Sequence, residues 1–211
     1  VSNRPIVILG GGGHASVLVD ILKDQGKEIK AIISPDGIGS RKVFAGIQLF
    51  RSDSDIEQFS NQNVDLVNAV GMFPRSTIRH DINEKFIRLG YRFATVISKN
   101  ACVSEFANIH EGVQILNRVV IHSGATINAH TVINTGAIIE HDCTIGTYNF
   151  ISPGAILCGQ VKTDNNVFIG ANATVIPNIE INEGAIVAAG AVLSRTLEKN
   201  KICYSGKMLI K

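Results

Sequence analysis

Glu140-His141-Asp142 stands inside the stretch IIEHDCTIG, with isoleucines on either side. An imidazole of ordinary pKa ~6.5 can take up a proton near neutral pH, and an adjacent carboxylate can hold its tautomer and stabilise the imidazolium. The pair therefore suits general-base work on a nucleophile, or simply a structural hydrogen bond at a turn. The other histidines carry less. His14 follows four glycines, His80 lies on a polar helical stretch, and His110, His122 and His130 fall at turns. Cys102, Cys143, Cys158 and Cys203 show no CxxC spacing and no zinc-ligand cluster, so no metal is expected. The first three lie inside regular segments and read as small core or near-core residues in a reducing compartment.

The element that must position His141 is a six-residue rhythm. Counted in sixes from Ile97 to Leu193, sixteen of seventeen positions are Ile, Val or Leu, with no insertion; Thr163 is the exception. Four residues after each, the side chain is usually small or β-branched, as at Ala101, Ala125, Ala137, Cys143 and Ala155. Neither a 3.6-residue helix nor a two-residue strand alternation accounts for this. Three short strands per turn do, giving a parallel β-helix of ~18 residues per coil with one aliphatic and one small side chain per side pointing inward. Residues 18 apart then stack at ~4.8 Å. His141 stacks over Ser123 and under Gly159, and Glu140 stacks over His122.

The preceding part reads as α/β. PIVILG is a buried strand, HASVLVDILKDQG an amphipathic helix, IKAIIS and VDLVNAVG further strands, and RSTIRHDINEKFIRLG a second helix. Strand, glycine turn, helix, strand is a Rossmann-like βαβ arrangement with a small parallel sheet. The expected division is residues 1–93 and 94–211. The glycine run with His14 opens the first helix, where free N–H groups can meet phosphate, though it is not a strict GxGxxG and also suits a tight βα turn. Candidate ligand contacts are Gly11, Gly12, Gly13 and His14, then Asp36 after the second strand for a ribose hydroxyl or base edge, then Gly71, Met72 and Arg75 after the third. Arg79 fits either a pyrophosphate partner or a solvated helix face.

The composition is globular: 211 residues, 45% hydrophobic, 18% charged, net charge +2. No basic footprint for nucleic acid is present, no run reaches the ~18 apolar residues of a membrane span, and no signal peptide is read before Ile6. A cytoplasmic location is expected.

The hexads resemble those of the left-handed β-helix hexapeptide-repeat acyltransferases over roughly residues 97–195. With ILGGGGHASVLVDIL in front and NTGAIIEHDCTIG and ISPGAILCG within, nearly the whole chain resembles sugar acetyltransferases of the NeuD/PglD type. That resemblance implies acetyl-CoA as cosubstrate, a nucleotide-linked amino sugar as acceptor, and a homotrimer whose solenoid corners face clefts between subunits. It also implies His141 as general base, Asp142 as its acidic neighbour, and the Gly159 N–H as donor to the acetyl carbonyl. Relatives often carry a second histidine where this chain has Phe150; either that second group is dispensable or Phe150 lines the acetyl-CoA or sugar pocket instead. Gly170, Ala171, Ala188 and Ala189 fall in small-residue stretches with room for the cofactor's arms. Relatives also tend to close on Gly-x-Pro-Ala-Lys, where this chain reads YSGKMLIK.

The expected activity is acetyl transfer to the amine of a nucleotide-linked 4-amino-4,6-dideoxy sugar for surface glycan synthesis. An O-acetyltransferase on sialic acid or a related sugar, and a non-catalytic solenoid binding protein, are the alternatives.

Overall fold

The computed structural model describes residues 3–206, so the end of the atypical tail, 207–211, lies outside the described residues. Two compact units are present, Val1–Lys99 and Asn100–Lys211.

In the first unit, strands β1 (Ile6–Leu9), β2 (Ile29–Ile33), β3 (Gln48–Phe50) and β4 (Asp65–Asn68) form a parallel sheet in the order β3-β2-β1-β4. All four residues of β1 are buried. Alternate side chains of a strand face opposite sides, so both faces of the sheet are covered. Helix α1 (Gly13–Asp24) buries Ala15, Leu18, Val19, Ile21 and Leu22, the stripe that helical spacing places on one face. Helix α2 (Ile78–Arg88) contributes Phe86 to a core with Val7, Leu9, Ile33 and Leu66.

In the second unit, two-residue strands pair in parallel with strands 18 residues away, as in Thr126–Ile127 with Thr144–Ile145 and Ile138–Ile139 with Ile156–Leu157. They form the sheets of a left-handed parallel β-helix. One face carries Asn108, Thr126, Thr144, Lys162 and Glu180 outward; a second carries Cys102, Val120, Ile138, Ile156, Thr174 and Val192. The aliphatic position of each hexad is inward, with Ile121, Ile127, Ile133, Ile139 and Ile145 essentially inaccessible. The exposed thiol of Cys102 differs from the near-core position expected for it, because its strand position points outward; Cys143, on the inward small-residue position, is buried.

Every sixth residue from Gly112 to Gly190 has φ between +54° and +74°, whether glycine, Asn, Asp142, Gln160 or even Tyr148. This left-handed residue turns each corner. It costs a non-glycine side chain on the order of 1–2 kcal/mol, which the ladder of hydrogen bonds on either side offsets.

Thr163, the one break in the aliphatic column, anchors a buried polar network. Its hydroxyl accepts from the Gly146 N–H at 3.0 Å and from the Asn149 side-chain amide. Asn149 Oδ1 accepts from Val167 N at 2.7 Å. Thr131 Oγ1 accepts from Asn149 N at 3.0 Å and donates to Gly146 O at 2.7 Å. In other corners the equivalent N–H reaches the backbone carbonyl of the next coil, as Asn128 N does to Ile145 O. Here the ladder registers Thr144 with Lys162 only, and the hydroxyl replaces the carbonyl. Each polar atom of the network has a partner, which is what makes its burial affordable.

Candidate active site

His141 and Asp142 occupy one corner of the solenoid, both exposed, with His141 Nδ1 and Asp142 Oδ2 2.9 Å apart. The corner is held by the ladder: Asp142 N donates to Ser123 O at 3.1 Å, and His141 O accepts from Gln160 N at 2.9 Å. Gly159, one coil on, is buried, and a Cβ on it would lie 2.5 Å from His141 Nε2 and 2.6 Å from Cε1. The imidazole thus rests against the glycine, with Nδ1 committed to the carboxylate and Nε2 turned to the Gly159 side. Gly159 O accepts from Asn178 N at 3.1 Å, while the Gly159 N–H meets no acceptor among the described residues. A proton acceptor and an unused backbone donor therefore stand side by side, the two groups that acyl transfer requires.

Glu140 Oε1 and His122 Nε2 are 3.8 Å apart, one coil over the other as the 18-residue stacking predicts. A polar groove of about 250 Å³ adjoins the dyad, lined by Asp142, Gln160, Lys162, Asn178 and Glu180. The sequence pattern did not single out the last four, because each alone is an ordinary outward residue of a repeat. Cys143 follows the dyad but points inward; its thiol donates to Cys158 O at 3.2 Å, and burial pushes it up to about 11. Phe150 is 8% exposed and stacks on Phe168 with ring centroids 5.5 Å apart and planes 8° apart. Gly170 packs against the backbone of Ala188 and Ala189, so coil stacking by itself requires a glycine there. Ala171 O accepts from Gly190 N at 2.8 Å on the same side of the solenoid.

In the first unit a cleft of about 760 Å³ opens at the ends of β1, β2 and β4. Gly11, Gly12, Gly13, His14, Asp36 and Gly71 all line it. Met72 and Arg75 follow in the next loop, outside the cleft wall. The glycines differ in their reasons. Gly10 turns the chain at φ +102° against Val70, and Gly11 is packed under Gly37 and Ile38. Gly12, the N-cap of α1, and Gly13 have nothing within 4 Å of a built Cβ. The helix start has no side-chain cap and no acidic residue in its first turn, which leaves its N–H groups for an anion. Arg41, Phe73 and Ile78 also line the cleft and carried no spacing signal in the sequence. Arg79 neither meets the cleft nor stands in solvent. It is 4% exposed and donates to Asn68 O at 2.7 Å and Val70 O at 2.9 Å, bracing the cleft floor from behind.

The comparisons agree with both halves. Residues 5–86 match the PglD N-terminal domain, and residues 161–195 match the bacterial transferase hexapeptide (six repeats). PerB from Caulobacter crescentus, solved in complex with CoA and GDP-perosamine, is 29% identical, with 96% of this chain and 95% of that one covered and a TM-score of 0.86. Histidine-to-asparagine and histidine-to-alanine variants of the Caulobacter perosamine N-acetyltransferase have also been solved with both ligands. The acetyltransferase domain of PglB from Neisseria gonorrhoeae FA1090, in complex with acetyl coenzyme A, is 25% identical, with 96% and 97% covered and a TM-score of 0.87. WeeI from Acinetobacter baumannii AYE shares the fold at 21% identity, 96% and 94% coverage and a TM-score of 0.81. With the glycine-run domain and the hexads each matched, and solved structures similar over nearly the whole chain, the chain has the build of the NeuD/PglD-type sugar acetyltransferases of the hexapeptide-repeat superfamily.

Proposed function

We propose that the protein is an acetyl-CoA-dependent N-acetyltransferase acting on the amine of a nucleotide-linked 4-amino-4,6-dideoxy sugar destined for surface glycan. The observation that carries this reading is the His141 imidazole, tied to Asp142 through Nδ1 and held with Nε2 beside the unused Gly159 N–H. Acetyl-CoA supplies the acetyl group as a thioester. His141 Nε2 takes the proton that the sugar amine sheds as its nitrogen forms the amide bond. Asp142 holds the proton on Nδ1, so that Nε2 presents its lone pair, and it stabilises the imidazolium that results. The Gly159 N–H donates to the oxyanion that develops on the carbonyl, a type of contact worth about 3 kcal/mol of barrier. The proton held by His141 then passes to the departing sulfur.

The α/β part, residues 1–93, holds the nucleotide: phosphate at the open Gly12 and Gly13, and ribose or base near Asp36. The solenoid part, residues 94–211, carries the chemistry and assembles as a homotrimer. Supporting that assembly, the face bearing Val120, Ile138, Ile156 and Val192 presents apolar side chains outward, with Val192 64% exposed. Phe150, Gly170, Ala171, Ala188 and Ala189 belong to the surface offered to acetyl-CoA. Among the described residues no helix is long and apolar enough to cross a membrane, which accords with work in the cytoplasm.

The test is thiol release from acetyl-CoA across UDP-, dTDP- and GDP-linked 4-amino sugars, with free sialic acid alongside. Turnover confined to one nucleotide amino sugar is expected. Turnover on sialic acid alone would transfer the assignment to O-acetylation, and none on any acceptor would leave a binding protein.

A further inference from the structure

The Asp142 carboxylate occupies the space that a side chain at position 124 would fill. Gly124 lies 18 residues earlier, one coil below, with φ +74°. A Cβ on it would collide with Asp142 Oδ1 and stand 3.3 Å from Cγ. The other carboxylate oxygen, Oδ2, is the one that meets His141 Nδ1. The dyad is thus enclosed along the solenoid axis by two residues without side chains, Gly124 under the carboxylate and Gly159 against the ring.

The same seat recurs where no chemistry is expected. Asn172 Oδ1 lies over Gly154, and Asn200 Oδ1 over Gly184, with Cγ at 3.4 and 3.5 Å from the built Cβ. All six residues have left-handed φ. At Gly154 and Gly184 the seat holds a neutral amide, at Gly136 and Gly190 it holds nothing, and at Gly124 it holds a carboxylate beside a histidine. Gly124, an unremarkable hexad glycine in the sequence, has a local reason that its φ alone does not give. With Oδ1 in the seat, Oδ2 faces the ring.

We propose that Gly124 is a positioning residue for the dyad: its missing side chain seats the Asp142 carboxylate and thereby fixes which nitrogen of His141 carries the proton. This rests on His141 being the proton acceptor proposed above, and it adds a requirement on a residue that touches neither substrate nor the imidazole. Filling the seat displaces Asp142 and frees Nδ1, and the ring then drifts toward the tautomer with the proton on Nε2, where it can no longer accept.

The test compares Gly124→Ala with Gly154→Ala in the full-length protein. Both put a methyl at a left-handed corner under an Asx side chain, so both meet the same backbone strain, and only the first underlies the dyad. Nitrogen-15 NMR of the imidazoles in mildly alkaline buffer reads the His141 tautomer, and steady-state assays read kcat and KM. Gly124→Ala is expected to move the proton from Nδ1 to Nε2 and to lower kcat about 10- to 100-fold with both KM values retained. Gly154→Ala is expected to lose comparable thermal stability while keeping the parental tautomer and kcat. A parental tautomer in Gly124→Ala, or the same tautomer change in Gly154→Ala, overturns the assignment. If Gly124→Ala does not fold, the double variant Gly124→Ala/Asp142→Ala decides: removal of the obstructing carboxylate must restore folding, and continued failure to fold overturns the seat. A tautomer change in a protein whose parent acetylates nothing would leave the seat standing and sink only the proposed activity.

Discussion

The imidazole of His141 lies against the α-carbon of Gly159, with Nε2 2.5 Å from where a Cβ would be. Gly159 does not have a left-handed φ, so alanine is conformationally acceptable there and retains the N–H. Gly159→Ala therefore separates the two uses of this residue. The methyl pushes the ring off its position, and a displacement of about 1 Å at a reacting group can cost ~10²-fold in rate. The expected result is kcat down about 100-fold with acetyl-CoA affinity and thermal midpoint little changed, read by steady-state kinetics, calorimetry and melting. Parental kcat would mean that the ring is not held by this contact during turnover.

Replacing His141 by Asn removes the proposed proton acceptor while keeping a polar side chain at the corner. General-base contributions of ~10²–10⁴-fold set the expected fall in kcat. Folding and the binding of CoA and nucleotide sugar should survive, because His141 braces no part of the hydrophobic interior and the corner is held by backbone bonds. Titration calorimetry with each ligand on the variant checks this.

Thr163→Val makes the hexad column fully aliphatic, and repeat statistics alone would rank it as stabilising. The structure gives the opposite sign. Valine leaves the Gly146 N–H and an Asn149 amide proton without their acceptor in a buried setting. One unsatisfied buried donor costs about 1–3 kcal/mol. Denaturant unfolding should show a loss of that order.

Gly13→Ala tests the cleft. Gly13 is the first residue of α1, and alanine at a compatible helical site gains about 0.4–1 kcal/mol by restricting the unfolded chain. The added methyl projects into open cleft, where it holds phosphate off the helix N–H groups. Loss of one charge-assisted hydrogen bond of ~1.5 kcal/mol weakens nucleotide binding about tenfold. A thermal midpoint unchanged or higher, together with the weaker affinity, is the expected signature. Equal affinity would remove Gly13 from the phosphate site.

The thiols should divide by location. Burial pushes Cys143 from 9.0 up to about 11, so at pH 8 it remains protonated as well as inaccessible, while Cys102 is exposed. Iodoacetamide at that pH should leave Cys143 unmodified in the native protein and reach it only after unfolding. Peptide mass spectrometry at both stages provides the check.

What the sequence made legible was whatever repeats. The hexad count placed His141 against Gly159 and Glu140 against His122 from arithmetic alone, because stacking in a solenoid depends only on register. The β1-to-α1 turn was legible through its glycines. Three things were not. Strand β3, Gln48–Phe50, is too short for its alternation to show. Arg79 fitted a pyrophosphate partner or a solvated helix face, and only the fold shows its side chain turned inward to two backbone carbonyls. Thr163 looked like a tolerated lapse, since its partners Gly146 and Asn149 lie on the preceding coil and no spacing rule links a hydroxyl to them.

The unbroken count from Gly112 to Gly190 also limits how such a chain can change length. Loss of a single residue within it would rotate every later isoleucine by one place and turn the dry interior out to water. Loss or gain of whole storeys leaves the plan intact and merely shortens or raises the column. Genes for this architecture are therefore free to grow by complete floors while the height of His141 relative to Gly159 stays the same, so this landing is insulated from changes to the building above and below it.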